Sequence, residues 1–336
     1  MSKRVGESRA DDRPWRRGPL VDAIKDKTSG FRVSVIPRRM RMFPFTAPTV
    51  PTTVEPYAAD RELGVDFDTA WARKPSARAA RTAIQKGLLM PALWVWTSPE
   101  VFGRDRFEHL DGPLIFAANH HSHLDTGMVL AALSARLRNK TIVAAAGDYF
   151  FDKRAKAIAS ALTLNAVPIE RQKVSRRSTD QIATLLSGGW NLVIFPEGGR
   201  SPDGLGQEFK AGSTYLAVKC QCPIVPVYID GTDVVFPKGA SMPRRHGCTV
   251  TFGEPIVPTA DDDPRRLAER LERAIDSLAE EVRSDWWTAR RRAASGLTTS
   301  LRGEVDAASW RRQWDRNATS PNSTNRNQSK ASSDWP

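Results

Sequence analysis

From residue 112 onward, short apolar runs alternate with segments in which apolar residues recur at helical spacing. Such runs, bounded by turn signals, are typical of strands buried on both faces. The alternation predicts an α/β domain with a mixed, largely parallel central sheet flanked by helices. The predicted strands are residues 114–118, 141–145, 164–169, 191–195, 224–229 and 249–252. The predicted helices between them are residues 126–137, 153–162, 178–186 and 213–219.

The rest of the chain divides by composition. We expect a flexible basic arm in residues 1–60, which are rich in Arg and Pro, and a helical segment in residues 61–110. The α/β domain is expected in residues 111–258. Acidic residues followed by Pro264 predict the start of an amphipathic helix within residues 259–292. Residues 293–336 lose apolar periodicity and become rich in Ser and Asn, which predicts a mostly disordered tail.

The formal net charge of the 336 residues is +12, which implies an anionic partner. Charge alone does not separate nucleic acid from anionic lipid or a phosphorylated substrate. The three cysteines form neither a disulfide framework nor a convincing metal set, so a reduced, cytoplasmic environment is expected. We predict no membrane span, because no apolar stretch reaches the roughly 18 residues that crossing requires. We predict no signal peptide, because the first four residues lead into polar residues instead of an apolar core.

Residues 77–96 place basic side chains before a short apolar segment that contains Trp94 and Trp96. This order is typical of a helix that lies in a membrane interface. A helix docked on the protein's own sheet has the same pattern, and both interpretations stay open at this point. The apolar part is too short to span a bilayer.

The stretch 116–125 concentrates three of the five histidines and a carboxylate directly after a predicted strand. His120 and Asp125 are five positions apart, which on one continuous helix points their side chains in different directions. They can meet if His120 lies in a turn and Asp125 in the first turn of the next helix. An imidazole held by a carboxylate is suited to general-base chemistry at neutral pH.

Two other interpretations fit the same stretch. Ser122 and Asp125 have the spacing of a capping box, in which Asp125 accepts from the amide at the start of the helix. His121, His123 and Asp125 alternate as zinc ligands do in some hydrolases. That pattern normally continues with a further histidine, where this chain has Thr126. We therefore expect no metal at this position.

Three further groups of residues follow predicted strands or precede a helix. Arg171 offers a planar donor fork suited to phosphate, although it can equally pair with Glu170 at the surface. The stretch from Glu197 through Gly198 to Arg200 lets the backbone approach an anion, although an ordinary glycine turn has the same residues.

Lys210 lies just before a predicted helix, whose N-terminus favours phosphate. Taken alone, this signal is the weakest of the three.

These residues belong to four blocks that occur in a defined order. The blocks are Asn119-His120-x-Ser122-x-x-Asp125, Pro168-Ile169-x-Arg171, Phe195-Pro196-Glu197-Gly198-x-Arg200-Ser201 and Pro223-Ile224-Val225-Pro226-Val227. Their order and separation resemble the four motifs of the glycerolipid acyltransferase family, which contains 1-acylglycerol-3-phosphate acyltransferases and related lysophospholipid acyltransferases. The resemblance covers residues 110–255. Two motifs depart from the family pattern. The second has Asn165 where Gly is usual and Pro168 where an aromatic residue is usual, and the third has Gly199 where Thr is usual.

The resemblance implies a single acyltransferase domain with His120 as general base. The imidazole would remove the proton from a glycerol hydroxyl as that oxygen attacks the thioester of acyl-CoA or an acyl-carrier protein. Asp125 would fix the imidazole tautomer. A thioester is already activated, so the reaction needs no cofactor beyond the donor substrate and no covalent enzyme intermediate.

The resemblance also assigns the acceptor side. Arg171 and Arg200 would hold the acceptor phosphate, with Glu197 and Gly198 shaping that pocket and Lys210 as an additional cation. The expected partners are acyl-CoA, lysophosphatidate or a similar lyso-lipid, and a membrane surface, with no nucleic acid. The acceptor can also be another lysophospholipid or a glycolipid. The expected location is the cytoplasm, peripherally on the inner face of the cell membrane.

Overall fold

A computed structural model of the chain describes residues 63–170, 176–200, 205–237 and 240–302. The predicted basic arm, Arg171 and the greater part of the predicted tail lie outside these residues. The seven described strands are β1 (Glu100–Phe102), β2 (Ile115–Ala118), β3 (Thr141–Ala146), β4 (Ala166–Ile169), β5 (Asn191–Ile194), β6 (Ile224–Asp230) and β7 (Thr249–Phe252).

The described α-helices are mostly short and connect or cover these strands. They are α1 (Pro75–Ile84), α2 (Met90–Thr97), α3 (Asp125–Ala132), α4 (Ala135–Arg138), α5 (Gly147–Phe150), α6 (Arg154–Leu164), α7 (Arg176–Ser187), α8 (Gly212–Cys220), α9 (Thr232–Val235), α10 (Pro264–Arg283) and α11 (Trp286–Ala294).

The strands form one sheet in the order β1-β7-β6-β2-β5-β3-β4. Neighbouring strands are parallel except β6 and β7, which are antiparallel. The predicted mixed, largely parallel α/β sheet is therefore confirmed. Because β2 lies between β5 and β6, the loops that follow β2 and β5 emerge side by side at the carboxyl edge of the sheet.

Alternate residues of each strand point to opposite faces of the sheet, and each face buries a separate core. One core contains Ile115 of β2 and Leu192 of β5, covered by α7, α8 and α10. The other contains Phe116 and Val193, covered by α3 and α4. After β2 the chain passes to one face of the sheet, and after β5 it passes to the other. A crevice therefore opens between the two loops.

All six predicted strands are present within a few residues of their predicted limits, and β1 is a strand that the pattern did not indicate. The predicted helix at residues 126–137 is interrupted, because Leu133 adopts an extended conformation between α3 and α4. Arginine side chains satisfy the carbonyl groups that the break frees: Arg104 donates to Ala132 and Arg138 to Leu133.

The helical segment at residues 75–97 runs through α1, a π-helical turn (Gln85–Leu89) and α2. Arg81 is buried in α1 and donates to the carbonyl oxygens of Leu162 and Ala72 over 2.9 and 2.5 Å. Gln85 donates to that of Thr163 over 2.8 Å. These two side chains fix the helix to the end of α6.

Beyond the π turn, α2 turns two different faces to its surroundings. Leu93 and Trp96 pack against the core beneath α3. Trp94 is 69% exposed and Leu88, in the π turn, is 64% exposed. The sequence left two interpretations of this segment open, a helix docked on the protein and a helix with an apolar face turned outward. The structure shows one segment with both a docked face and an outward apolar face. Within the part of the chain that the structure describes, no helix combines the length and hydrophobicity needed to cross a bilayer.

Beyond α11, the chain contacts the domain again at Leu301 and Arg302. Leu301 donates its backbone N–H to Asp276 Oδ1 over 2.8 Å, and its carbonyl accepts from Gly206 N over 2.9 Å. The side chain of Leu301 packs against the core covered by α10. Leu301, which the sequence placed in the tail, therefore contacts the loop that follows Arg200.

Candidate active site

The loop after β2 carries His120 and leads into α3, whose first residue is Asp125. Asn119 fixes the start of this loop, because its side-chain amide donates to the Ile229 carbonyl over 2.9 Å and accepts from the Ile229 N–H over 2.8 Å. These two bonds continue the pairing of β2 with β6 by one residue. The turn that holds His120 is therefore anchored on a buried strand.

The predicted contact between His120 and Asp125 is present. His120 Nδ1 lies 2.9 Å from Asp125 Oδ2. Asp125 is fully buried, whereas His120 lines the pocket. A carboxylate accepts hydrogen bonds, so the proton between them belongs on Nδ1, which leaves Nε2 with a lone pair available to the pocket.

Every oxygen of the Asp125 carboxylate has a donor. Oδ2 also accepts from the backbone nitrogens of His121 and Ser122 over 2.7 and 2.8 Å. Oδ1 accepts from the Thr232 hydroxyl over 2.5 Å. The capping-box contact from Asp125 to the amide of Ser122 is thus present together with the contact to His120. Four donors hold the carboxylate in one orientation.

The histidines of this loop are directed to different partners. His123 Nε2 lies 3.2 Å from the Tyr149 hydroxyl, and the two rings are stacked. His120 stacks on Phe195, with ring centroids 4.1 Å apart. Among the described residues, no group of three or more His, Cys, Asp or Glu side chains is arranged to hold a metal ion.

Glu197 follows β5 and is buried beneath the loop of His120. Its Oε1 accepts from the backbone nitrogen of His120 over 2.8 Å, and its Oε2 accepts from that of Gln207 over 3.1 Å. Burial raises the pKa of this carboxyl to about 7, against the lowering effect of these two bonds. Glu197 therefore joins two loops of the site without facing the pocket.

Gly198 has φ +72°, a conformation that favours glycine. A Cβ at this position would lie 2.8 Å from Lys210 Nζ, so the glycine also lets the lysine approach the turn. Both residues therefore sit beside Glu197, and Lys210 N donates to the Pro196 carbonyl over 3.0 Å.

Arg200 and His120 line one pocket of about 400 Å³. Arg200 is half-buried, and its charge contributes to lowering the pKa of His123 to about 4, after the larger effect of burial. The Gln207 side-chain amide lies 3.2 Å from the Arg200 carbonyl and 3.5 Å from that of Gly199, which holds the turn. A positive side chain thus shares the pocket with the free imidazole nitrogen.

The remaining walls of the pocket are of two kinds. The inner wall is apolar and comes from β3, β4 and α6, with Val143, Leu164 and Ile169 among its residues. The rim is polar and aromatic and contains Tyr149 and Lys156, whose ammonium lies 3.9 Å from the centre of the Tyr149 ring. The pocket can therefore accept a ligand with an apolar part and an anionic part.

Residues 98–230 match the family model described as Acyltransferase. The chain is 25% identical over 190 residues to 1-acyl-sn-glycerol-3-phosphate acyltransferase BAT2, chloroplastic, of Brassica napus, covering 54% of this chain and 53% of that protein. It is 32% identical over 105 residues to 1-acyl-sn-glycerol-3-phosphate acyltransferase alpha of Homo sapiens, covering 30% of this chain and 37% of that protein.

The chain also matches the crystal structure of the 1-acyl-sn-glycerophosphate (LPA) acyltransferase PlsC of Thermotoga maritima. The TM-score is 0.50 and the identity 25%, with 65% of this chain and 84% of that chain covered. Residues 98–230 are thus similar to the acyltransferase domain of the glycerolipid acyltransferases. The chain spans between about a fifth and about half of the length of the curated relatives it matches.

The two departures from the glycerolipid acyltransferase pattern have structural explanations. Asn165 ends α6 with φ 56°, and asparagine is the residue that best replaces glycine in this left-handed conformation. A Cβ at Gly199 would contact no atom within 4 Å, so the space around the backbone does not require glycine here. The missing side chain instead widens the pocket. Pro168, in the same motif as Asn165, lies on β4 at the edge of the sheet, where a missing N–H is tolerated.

The structure brings His120, Asp125, Glu197, Gly198, Arg200 and Lys210 to one edge of the sheet, whereas Arg171 lies outside the described residues. Sequence reasoning missed Thr232, Gln207 and Tyr149. Thr232 follows the carboxyl end of β6, and the same rule that singled out His120 after β2 could have found it. For Gln207 and Tyr149 no local signal exists.

Proposed function

We propose that this protein transfers an acyl chain from an acyl thioester to the free hydroxyl of 1-acylglycerol 3-phosphate. The observation that carries the proposal is the His120–Asp125 pair, which presents a free imidazole nitrogen to a pocket with an apolar wall and an arginine. The names of the relatives support the acceptor, and either acyl-CoA or an acyl-carrier protein serves as donor.

In the proposed reaction, His120 Nε2 takes the proton of the acceptor hydroxyl while its oxygen bonds to the thioester carbonyl carbon. The Asp125 carboxylate stabilises the imidazolium that forms. Collapse of the tetrahedral intermediate breaks the C–S bond, and the imidazolium returns its proton to the departing thiolate. The products are the ester and the free thiol, with His120 neutral again.

The acceptor phosphate binds to Arg200, whose guanidinium matches phosphate oxygens in geometry and charge. Arg171, which follows β4, is proposed as a second phosphate ligand, and Lys210 as a nearby cation held against Gly198. Glu197 acts on this site through the two loops that it joins. The acyl chain lies along the apolar wall formed by β3, β4 and α6.

Other acceptors are compatible with the same pocket. Because Gly199 leaves space where members of the glycerolipid acyltransferase family carry a side chain, another lysophospholipid or a glycolipid remains the alternative acceptor. A zinc-dependent hydrolase is disfavoured, since the oxygens of Asp125 and Nε2 of His123 already have protein partners. An inert lipid-binding relative is disfavoured by the four donors that maintain Asp125 as a partner for His120.

We also propose that the outward residues of α2 and the preceding π turn, Leu88 and Trp94, contact a membrane surface. Tryptophan is favoured at the boundary between headgroups and acyl chains, where lyso-lipids reside. The proposed location is the cytoplasmic side of the cell membrane, which fractionation of cells into membrane and soluble parts would test.

The deciding experiment is to incubate the purified protein with labelled acyl-CoA, or acyl-carrier protein, and a panel of lyso-acceptors. We expect phosphatidate from 1-acylglycerol 3-phosphate as the main labelled lipid, identified by mass. A labelled product from a different acceptor would support the alternative. Release of free fatty acid without any transfer would contradict the proposal.

A further inference from the structure

Helix α11 presents a tryptophan and arginine face that the fold does not use. Ala289 is buried and Arg292 pairs with Glu280 of α10, so this side of α11 faces α10. At 100° per residue, Trp287 and Arg291 lie on the opposite side. Trp287 is 70% exposed, and Arg290 and Arg291 are exposed as well.

The outward position of Trp287 is fixed by the helix start. Asp285 caps α11, accepting from the Thr288 nitrogen and hydroxyl over 2.9 and 2.7 Å. The cap sets the rotation of the first turn, and Arg290 lies 5.4 Å from the centre of the Trp286 ring. Leu297, which follows the helix, is 67% exposed. An ordered helix that exposes large apolar side chains among arginines indicates a binding surface.

From these observations we infer that α11 is a second membrane contact and binds the surface of an anionic lipid bilayer. Tryptophan inserts at headgroup level, while arginines bind lipid phosphates and extend their apolar stems along the interface. Nine residues are about 14 Å long at 1.5 Å each, so this helix lies flat on a bilayer instead of crossing it.

The position of α11 relates this contact to the active site. Helix α10 ends at Arg283, which interacts with the hydroxyl of Tyr228 near the carboxyl end of β6. This is the edge of the sheet from which His120 emerges. Helix α10 covers one face of the sheet, whereas α2 packs against α3 on the other. Two contacts on opposite faces but at one edge would hold the pocket entrance toward the lipid.

Binding of the full chain to vesicles tests the inference without depending on the proposed reaction. We compare vesicles of phosphatidylcholine alone with vesicles that also contain phosphatidylglycerol, using flotation. The variant Trp287→Ser/Arg290→Gln/Arg291→Gln should bind the anionic vesicles at least about tenfold more weakly, from the contribution of two arginines near a charged surface. The matched control Arg266→Gln/Arg270→Gln removes two exposed charges from α10 and should bind as the wild type does.

Catalysis provides an independent measure. With acyl-CoA and a short-chain acceptor dissolved as monomers, the α11 variant should turn over at the wild-type rate, and its thermal unfolding midpoint should be unchanged. Unchanged vesicle binding, or an equal loss in the control, would overturn the inference. A substitution that instead changes the sedimentation of the protein from dimer to monomer would make α11 a contact between two copies and also overturn it.

Discussion

The backbone nitrogen of His120 donates a hydrogen bond to Glu197 over 2.8 Å, so a residue of the third motif supports the proposed base in the first. The other oxygen of Glu197 accepts from Gln207 over 3.1 Å. One buried carboxylate thereby connects the loop of His120, the turn of Arg200 and the segment before α8. A change in its charge acts on all three.

The free energy of unfolding should depend on pH through the Glu197 carboxyl group. Burial raises the pKa of Glu197 to about 7. Between its ordinary value and about pH 7, the folded protein keeps a proton that the unfolded chain releases, so this group lowers stability as pH rises. Glu197→Gln should remove that fall, which is about 3 kcal/mol at about 1.4 kcal/mol per pH unit. Urea unfolding at several pH values measures it, and parallel curves for variant and wild type would contradict the assignment.

Titration of His123 should change the free energy of unfolding in the opposite direction. Burial, together with Arg200 and His120, lowers the pKa of its imidazole to about 4. Between about pH 4 and its ordinary value, the unfolded chain binds a proton that the folded protein rejects, so stability rises with pH. His123→Gln should remove this rise in the same urea series. A variant that follows the wild-type curve would place His123 in a more solvated environment.

Loss of the base should abolish acyl transfer with the fold intact. His120→Ala removes the proton acceptor, and Asp125→Asn removes the charge that stabilises the imidazolium; each should lower kcat by at least about 10³-fold. Circular dichroism and thermal unfolding check the fold. Thr232→Val, which removes one donor to Asp125, serves as a milder comparison. Near-wild-type turnover by His120→Ala would refute the base assignment.

Arg200→Ala should weaken the binding of the phosphorylated acceptor far more than the binding of acyl-CoA. Loss of a charge-assisted contact predicts about a 10-fold to 100-fold fall in kcat/KM for the acceptor. Initial rates with each substrate varied in turn measure the difference. Arg200→Lys keeps the charge without the planar donor fork and should lose less. Equal losses for both substrates would remove Arg200 from phosphate binding.

Gln207 should act as a positioning residue. Gln207→Leu removes the side-chain amide near the carbonyls of Gly199 and Arg200 but keeps the backbone bond to Glu197. The KM for the acceptor should rise about 2-fold to 10-fold, the range of one hydrogen bond, with the KM for acyl-CoA unchanged. A fall in kcat with both KM values unchanged would show that Gln207 acts on the base instead.

The outward face of α2 and the π turn should contribute to membrane binding. Leu88→Asp/Trp94→Asp places two charges on it and should lower recovery with vesicles in flotation. Ala79→Asp/Ala80→Asp adds the same charge to exposed positions of α1 and should have a smaller effect. Equal recovery of all three proteins would confine this helix to a structural role.

Local patterns sufficed for the elements whose burial is continuous. Strands β2, β3 and β5 are buried along their whole length because both of their faces are covered, and the sequence predicts them within one or two residues. Strand β1 has three residues at the sheet edge, where its burial alternates, so no run of apolar residues marks it. The antiparallel direction of β7 also depends on pairings that no local pattern encodes.

The candidate site divides in the same way. His120 and Asp125 lie close in sequence, and strand-turn-helix geometry was enough to predict their contact. Thr232 reaches Asp125 from a different strand, and Gln207 reaches Glu197 from beyond the Arg200 turn. Such partners become neighbours only when the sheet order is known, and the order β6-β2-β5 was not predicted from the sequence.

The contact between Leu301 and Gly206 has a consequence for biosynthesis. During translation, Gly206 in the loop that follows Arg200 leaves the ribosome long before Leu301, whose carbonyl accepts the Gly206 N–H. While the chain is being made, this loop lacks its final neighbour, and the nascent domain can form its sheet first. Translation that stops short of Leu301 should therefore yield a domain whose sheet is formed but whose loop after Arg200 lacks this contact.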